Sequence, residues 1–307
     1  MRAKSVKHSI LTALGLITAA GLVLPTVTST AQADGDAFSS LPNTLVLSGV
    51  VRDFKERSVA GGHADFEAVP AGGYGHYMNN VQETLDADGK PVYKGGGKKV
   101  ASQWKDSNNR PLHPSLYNQS RGDIAGSYGA TDNGGIASKE GFAQWFRNTP
   151  NVNMAKELAI TLVRQPNSNV YVFDDRVDEA YKNLGGFFPI NGQLFGNSKG
   201  DNKNFHFTYE LATTFIYKPG QGQVFKFRGD DDVWVFVNGK CVIDIGGVHS
   251  AVEQTIELDR LTNLKAGEVN TLNFFFAERH RTQSNFRIET TINLRSAELP
   301  NTTHLYD

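Results

Sequence analysis

The sequence predicts an all-β fold, namely an antiparallel β-sandwich. The chain of 307 residues contains 31 glycines and 19 phenylalanines, and its apolar residues occur in many short runs of β-branched and aromatic side chains. Short runs of this kind, separated by turn residues, are typical of strands that follow one another at close intervals. The runs are densest after Phe205, so we expect the core of the sandwich in the C-terminal half.

The apolar runs predict ten strands, and the sequence KEGFAQWF at 139–146 predicts one short helix that stops before Pro150. The strands are expected at 44–54, 158–164, 170–173, 205–217, 223–227, 233–237, 241–245, 255–258, 271–277 and 286–294.

The clearest hairpin lies at 233–245, where VWVFV and KCVIDI are joined by Asn238 and Gly239. Both central residues of a two-residue hairpin turn need positive φ, which Asn and Gly tolerate best. We therefore interpret Asn238 as a structural residue.

The segment 72–135 differs from the rest of the chain. It is rich in Gly, Asn, Asp, Ser and Lys and has few periodic apolar runs. Long loops within one domain are unusual unless they carry function or are partly mobile. We predict a loop-rich insertion within a single domain at 44–295, with a linker at 34–43 and a C-terminal tail at 296–307.

The first 33 residues have the layout of a secretory signal peptide. Three basic residues precede an apolar run at 10–24, and the small residues AQA follow at 31–33. The apolar run is shorter than the roughly 18 residues that a membrane span needs. The sequence therefore predicts cleavage after Ala33, no remaining membrane span, and a protein that is secreted to the exterior or the periplasm.

Composition excludes some partners. The formal net charge is −1 at pH 7 and no basic stripe is present, which argues against nucleic acid as a partner. Cys241 is the only cysteine, so the chain forms no intramolecular disulfide. A bound ion would be another source of stability, since a ligand that prefers the native state stabilises it.

Three adjacent aspartates, Asp230, Asp231 and Asp232, join two apolar runs. Adjacent carboxylates near a desolvated surface repel one another unless something neutralises them, although a solvated turn is the alternative interpretation. Clustered carboxylates suit Ca²⁺, which takes six to eight oxygen ligands. Neighbouring residues of a strand point to opposite faces, so two aspartates share an ion only at a kink such as a cis peptide bond.

A second polar cluster begins at the end of the run FFFAE. Glu278, Arg279, His280 and Arg281 follow the apolar residues, and the polar loop extends to Asn285. Charged loops on a rigid scaffold often form a binding rim, whereas surface arginines are the alternative.

Three weaker candidates remain. His63, Asp65 and Glu67 would share one face of an extended segment and form a transition-metal site, for which two carboxylates and one histidine are weak support. His249 follows two glycines, which suits either a ligand-binding loop or an ordinary turn. Trp234 is a candidate for ligand contact because aromatic rings stack on sugar faces.

The sequence resembles the bacterial fibro-slime domain family, a branch of the protective-antigen-type β-sandwich modules. The segments GDDDVWVFVNGK and FFAERH carry the resemblance, and GVVRDFKE, HADFE, DGKPVY and FAQWFRNTPNVN extend it over most of the chain. In sugar-binding members of the wider group, two consecutive aspartates joined by a cis peptide hold Ca²⁺, which holds sugar hydroxyls. The resemblance places this pair at Asp230 and Asp231 and the second calcium loop at 278–285.

The resemblance implies a secreted, calcium-dependent carbohydrate-binding module that acts in adhesion or the extracellular matrix, with a polysaccharide as its partner. Two alternatives stay open. One is a structural slime or surface protein with a stabilising calcium and no sugar binding. The other is a glycan hydrolase, in which Glu278 and one of the aspartates would face each other across a cleft about 5–10 Å wide. No motif typical of an enzyme is present, so no catalytic residue is predicted.

Overall fold

The computed structural model describes residues 36–299 and has an antiparallel, sandwich-like architecture. Strands form 38% of it and helices 5%, which confirms the all-β prediction. The predicted signal peptide at 1–33 lies outside the described residues. Among residues 36–299, no helix is long and apolar enough to cross a membrane.

Fourteen strands and one α-helix are present in residues 36–299. The strands are β1 (Thr44–Phe54), β2 (Tyr77–Met78), β3 (Gly97–Ser102), β4 (Ser127–Asp132), β5 (Asn153–Arg164), β6 (Tyr171–Asp174), β7 (Phe207–Ile216), β8 (Val224–Gly229), β9 (Asp232–Val237), β10 (Lys240–Ile245), β11 (Val252–Glu257), β12 (Val269–Glu278), β13 (Phe286–Thr290) and β14 (Arg295–Ala297). The helix is α1 (Lys139–Ala143), and short 3₁₀ turns occur at Pro114–Leu116, Gln119–Arg121 and Leu258–Arg260.

Eleven strands form one large sheet in the order β10-β9-β12-β7-β1-β5-β6-β13-β8-β11, with β14 beside β7. The side chain of Gln254 on β11 joins the two end strands. Its Oε1 accepts from the Asp244 N–H at 3.0 Å, and its Nε2 donates to the Asp244 carbonyl at 3.2 Å. The large sheet is therefore nearly closed on itself.

The segment 72–135 is more ordered than the sequence predicts. It contains a second sheet of three strands in the order β2-β3-β4. These strands are short, and most residues of β3 and β4 are at least partly exposed. Their sequences do not alternate between buried apolar and exposed polar residues. A strand cannot be recognised from such a sequence, so only loops were predicted here.

Strand β9 contributes to two cores. Val233, Val235 and Val237 lie in the core enclosed by the large sheet, whereas Trp234 and Phe236 point into a second core formed with α1 and the residues after it. Successive side chains of a strand point to opposite faces, so a strand covered on both sides is apolar throughout. The run VWVFV has this composition for that reason.

The predicted turn at 238–239 is confirmed, with φ of 48° at Asn238 and 76° at Gly239. Asn238 also donates from Nδ2 to Asn270 Oδ1 at 2.8 Å. Most strand ends differ from the prediction by a few residues. In particular, the predicted last strand stops at Thr290, and the predicted C-terminal tail begins within β14.

Candidate functional site

Two connections cross the same end of the sandwich. Residues 230–231, the aspartate turn, join β8 to β9, and residues 279–285 join β12 to β13. Strand β12 pairs with β9, and β13 pairs with β8. Both connections therefore cross between the β8–β13 pair and the β9–β12 pair. The sheet topology therefore brings the two polar clusters of the sequence together.

A close backbone approach fixes the two connections against each other. A Cβ atom on Gly229 would lie 2.2 Å from the Asn285 carbonyl oxygen, so only glycine fits there. Asn285 in turn holds Asp230. Its backbone N–H donates to Asp230 Oδ1, and its Nδ2 donates to Asp230 Oδ2 at 2.8 Å.

The aspartate turn and the 279–285 loop border an open pocket of about 260 Å³. We refer to it as the aspartate pocket. Its lining residues are Tyr74, Asp230, Asp231, Val248, His249, Ser250, His280, Arg281, Thr282 and Gln283. Asp230, Asp231, His249 and His280, which the sequence singled out separately, thus meet at one pocket.

Asp231 is held by backbone groups on both sides. Its Oδ1 accepts from the His249 N–H and its Oδ2 from the Arg279 N–H, each at 3.1 Å. The peptide bond between Asp230 and Asp231 is cis, as the resemblance implies. Both carboxyl groups line the aspartate pocket, although they are neighbours in the chain.

Glu278 is buried next to the two aspartates. Its side chain is fully buried, and neither carboxylate oxygen accepts a well-aligned hydrogen bond, although the Ser284 hydroxyl and the His280 N–H lie close to it. The nearby Ser284 hydroxyl donates to the Phe187 carbonyl at 2.8 Å instead. An unpaired buried carboxyl group costs free energy, so this position is expected to be neutralised by a proton or by a cation.

The electrostatics of the three carboxyl groups agree with this reading. Burial raises the pKa of Asp230 above its ordinary value. Burial raises the pKa of Asp231 further, and the carboxyl groups of Asp232 and Asp230 add to it, whereas Arg279 opposes the rise. The pKa of Glu278 is raised well above its usual range by burial and then by Asp231 and Asp230. A cation among these groups would reverse the rise.

Asp232 and Arg279 were predicted to bind the metal and the ligand, and the structure corrects both assignments. Both side chains are fully buried, and Arg279 Nε donates to Asp232 Oδ2. Asp232 Oδ1 accepts from the Gly247 N–H at 2.6 Å. The other donors of Arg279 reach carbonyl oxygens, including that of Gly134 at 2.8 Å. The pair faces away from the pocket and fastens the 72–135 segment to the large sheet.

Trp234 does not contact the pocket either. Its side chain is fully buried in the second core, with its ring centre 5.5 Å from that of Phe142 and 6.2 Å from that of Trp145. Its indole N–H donates to Asp244 Oδ1 at 3.0 Å. Trp234, predicted as a ligand contact, therefore lies away from the aspartate pocket, because strand alternation turns this ring into the second core.

The alternative metal site at His63, Asp65 and Glu67 is not formed. Residues 64–67 make a turn, and Glu67 has a φ of 65°, so the segment is not extended. Asp65 accepts from the Trp145 indole N–H at 2.9 Å and from the Ala137 N–H at 2.7 Å. Glu67 instead points to the 279–285 loop. The expectation that the three side chains share one face was wrong.

Glu67 anchors the 279–285 loop, a role that the sequence did not reveal. Its Oε1 accepts from His206 Nε2 at 2.9 Å and from Arg281 Nη1 at 2.7 Å, and its Oε2 lies 3.3 Å from His280 Nε2. Arg281 Nη2 also donates to Glu56 Oε2. The side chains of Arg281 and His280 are thereby held at the pocket.

Tyr74 is the aromatic residue of the pocket. Its side chain is 50% exposed, and its hydroxyl lies 2.9 Å from His280 Nε2. Tyr74 is 206 positions from His280 in the chain, so no local sequence pattern indicates this contact.

The donor set of the pocket is incomplete as a metal centre. Within residues 36–299, no three side chains of His, Cys, Asp or Glu are arranged as ready ligands of one ion. Asn285 is predicted as a metal ligand, but its side-chain oxygen Oδ1 accepts from Arg176 Nη2 at 2.9 Å. The side-chain nitrogen of Asn285 donates to Asp230 instead. Asp230, Asp231 and the unpartnered oxygens of Glu278 are the carboxylates that fit a hard cation.

Comparison with known proteins finds a domain family that matches the part of the chain containing this site. The PA14 domain matches residues 202–299, a range that contains the aspartate turn, His249 and the 279–285 loop. This domain belongs to a carbohydrate-binding, adhesin-like family of modules.

Three proteins of Dictyostelium discoideum are similar to this chain. Protein psiR is 32% identical over 267 residues, which are 83% of this chain and 22% of psiR. Protein psiD is 32% identical over 261 residues, which are 82% of this chain and 42% of psiD. Protein psiQ is 42% identical over 172 residues, which are 52% of this chain and 16% of psiQ. The chain thus spans less than half the length of each of them. The predicted resemblance is confirmed as a similarity: the PA14 domain matches residues 202–299 of this chain, and the relatives that it resembles are psi proteins.

Proposed function

We propose that the aspartate pocket binds Ca²⁺ and, through it, the hydroxyl groups of an extracellular polysaccharide. The observation that carries the proposal is the position of Asp230 and Asp231, two adjacent carboxyl groups at one pocket of a PA14 domain. The ion would neutralise a group of buried carboxyls that form no ion pair within residues 36–299 and whose pKa values are raised by burial. The module would then act in adhesion or in the extracellular matrix.

Glu278 supports the presence of a cation. Its two buried oxygens accept no well-aligned hydrogen bond. Arg279 follows Glu278 directly in the sequence, but its guanidinium group is paired with Asp232 and does not neutralise Glu278. Because Ca²⁺ takes six to eight oxygens, carbonyl groups of the 279–285 loop, water and sugar hydroxyls would supply the remaining ligands. When bound, the ion supplies a Lewis-acidic centre that vicinal hydroxyls can coordinate.

The rim of the pocket suits a sugar. Gln283 offers polar groups to hydroxyls, and Tyr74 offers a half-exposed ring that can stack on the apolar face of a pyranose. The cavity volume of about 260 Å³ is near the lower end of the range for small-molecule sites. Secretion, as the N-terminal sequence predicts, would bring the pocket into contact with extracellular glycans.

The hydrolase alternative receives less support from the geometry. It requires Glu278 to face a cleft opposite an aspartate, yet the side chain is fully buried and does not line the pocket. The structural-protein alternative keeps the calcium and differs only in the absence of sugar binding. An experiment on binding therefore separates it from our proposal.

A glycan array tests the proposal. The tag-free protein is applied with 2 mM CaCl₂ or with a chelator, together with the variant Asp231→Asn and the matched control Asp201→Asn, which changes an exposed aspartate of a loop. We expect calcium-dependent binding by the wild type and the control and none by Asp231→Asn. Binding that survives both the chelator and Asp231→Asn would contradict the calcium bridge. The absence of any bound glycan would favour the structural alternative.

A further inference from the structure

Two histidines lie side by side behind the rim of the aspartate pocket. His76 precedes β2, and His249 follows β10. The backbone segments around them pair: Tyr77 N–H donates to the Gly246 carbonyl at 2.6 Å, and Gly75 N–H donates to the Val248 carbonyl at 2.8 Å. The two imidazole rings are 5.8 Å apart between centres and are inclined by 66°.

A glycine makes this close approach feasible. Gly247 has a φ of 93°, and a Cβ atom there would lie 2.5 Å from the Tyr77 ring and 2.7 Å from the Gly75 carbonyl oxygen. Any other residue would push the two segments apart. The histidine pair is therefore built into the backbone pairing of 75–77 with 246–248.

Backbone carbonyls fix the tautomer of each ring. His76 Nε2 lies 2.9 Å from the Asp244 carbonyl oxygen, and His249 Nδ1 lies 2.9 Å from the Ser250 carbonyl oxygen. A carbonyl oxygen only accepts, so both of these nitrogens carry the proton. The lone pairs consequently lie on His76 Nδ1 and His249 Nε2.

These two nitrogens are buried and form no well-aligned hydrogen bond within residues 36–299, although the Ile245 backbone lies near the His249 ring. Two lone-pair nitrogens cannot form a hydrogen bond with each other. A cation or a donor such as water is needed to satisfy both. Burial and the neighbouring His249 lower the pKa of His76 to about 3, which keeps its ring neutral. A neutral imidazole whose other N–H donates to a backbone carbonyl is the usual form of a metal-binding histidine.

We propose that His76 Nδ1 and His249 Nε2 bind a transition-metal ion of the Zn²⁺ class. An imidazole nitrogen lies about 2.0–2.1 Å from zinc, so ring centres on one ion are roughly 5–6 Å apart, which matches the separation of this pair. Water or carbonyl oxygens would complete the coordination, because no third ligating side chain stands beside them among the described residues. His249 also lines the aspartate pocket, but the donors differ: the zinc site uses two imidazole nitrogens, which suit zinc, whereas the calcium site uses carboxylates, which suit calcium.

Zinc titration of the tag-free full chain, in the presence of saturating Ca²⁺, tests the proposal. Isothermal titration calorimetry should show one Zn²⁺ site, and His76→Ala and His249→Ala should each weaken it at least about tenfold, since even changes to groups behind a ligand cost 10–100-fold. Asp201→Asn, at an exposed aspartate of a loop, should leave zinc affinity within about twofold; Asp231→Asn is not a control here, because Asp231 Oδ1 accepts from the His249 N–H.

His280→Gln is the matched control, because His280 borders the aspartate pocket but has no contact with His76. It should keep the zinc affinity of the wild type. If it abolishes zinc binding, the site belongs to the pocket rim and the proposal is wrong. Should the alanine variants fail to fold, nitrogen NMR of the wild-type imidazoles decides instead. Zinc should shift His76 Nδ1 and His249 Nε2, whereas unchanged signals, as expected for a buried water between the rings, would overturn the proposal.

Discussion

Asp232 and Arg279 form an ion pair in which both side chains are fully buried, although 47 positions separate them in the chain. The same short stretch of sequence therefore serves two purposes. Asp230 and Asp231 border a pocket, while Asp232, the first residue of β9, neutralises an arginine inside the protein. Strand β9 begins at Asp232, and successive side chains of a strand point to opposite faces. The Asp232 carboxylate therefore points away from those of Asp230 and Asp231.

Removing Arg279 should destabilise the fold severely. Breaking a buried ion pair on one side costs about 3–5 kcal/mol, because the remaining charge stays buried without a partner. Arg279→Met should therefore lower the free energy of unfolding, measured by urea denaturation, by about that amount. Lys182→Met, at a partly exposed surface pair with Glu179, is the control and should change it little. Equal effects of both variants would contradict the structural role of Arg279.

Tyr74 should contribute to sugar binding by its ring. Tyr74→Ala should weaken binding of the glycan that the array identifies by roughly three- to tenfold, since such contacts are worth about 0.5–1.5 kcal/mol. Tyr74→Phe keeps the ring and loses only the hydroxyl contact with His280, so it should retain most of the affinity. Both variants should melt near the wild-type temperature because the side chain is half exposed. An unchanged affinity in Tyr74→Ala would exclude stacking at this position.

Calcium should stabilise the protein through Glu278. A hundredfold excess of a ligand over its Kd adds about 2.7 kcal/mol to the free energy of unfolding. We expect Glu278→Gln to reduce the calcium-induced rise in Tm, because the amide oxygen is a weaker ligand than the buried carboxylate. Differential scanning fluorimetry with and without Ca²⁺ measures the rise. A wild-type Tm that does not respond to calcium would return the aspartates to the interpretation as a solvated turn.

Asp53 should make stability depend on pH. Burial raises its pKa to about 7, although Asn204 Nδ2 and the Phe195 N–H both donate to the carboxyl group. The native state then holds a proton that the unfolded state has released above its ordinary pKa of about 4. Its contribution to stability is present below that value and is lost as the pH rises towards 7.

The variant Asp53→Asn isolates this effect. Between pH 5 and pH 7, the free energy of unfolding of the wild type should fall relative to the variant by about 1 kcal/mol per pH unit. Urea denaturation at several pH values gives both curves. Parallel curves would show that the Asp53 carboxyl group titrates alike in the folded and unfolded states.

The strands of the large sheet could be predicted because they are buried and periodic. Ten apolar runs mark ten of its strands, with ends in error by a few residues in most cases. Strands β2, β3 and β4 could not be found in this way. They are short and partly exposed, and their order arises from pairing with one another and with the end of β10, which no local pattern encodes.

The pocket was predicted in part for a similar reason. Adjacent carboxylates between apolar runs are conspicuous in a sequence, so Asp230 and Asp231 were found. The functions of Asp232 and Trp234 depend on which side of β9 faces a core, and the run is apolar on both sides. The contact of Tyr74 with His280 and the pairing of His76 with His249 join distant segments and become visible only in three dimensions.

The most direct test of the account is reversible, calcium-dependent binding of the wild-type protein to one immobilised glycan. Biolayer interferometry follows the signal through successive exposures to Ca²⁺, a chelator, Mg²⁺ and Ca²⁺ again, while circular dichroism confirms that the fold persists in the chelator. The account predicts that binding disappears in the chelator, is not restored by Mg²⁺ and returns with Ca²⁺, because the pocket needs an ion that accepts six to eight oxygens. Binding that continues unchanged in the chelator would contradict it.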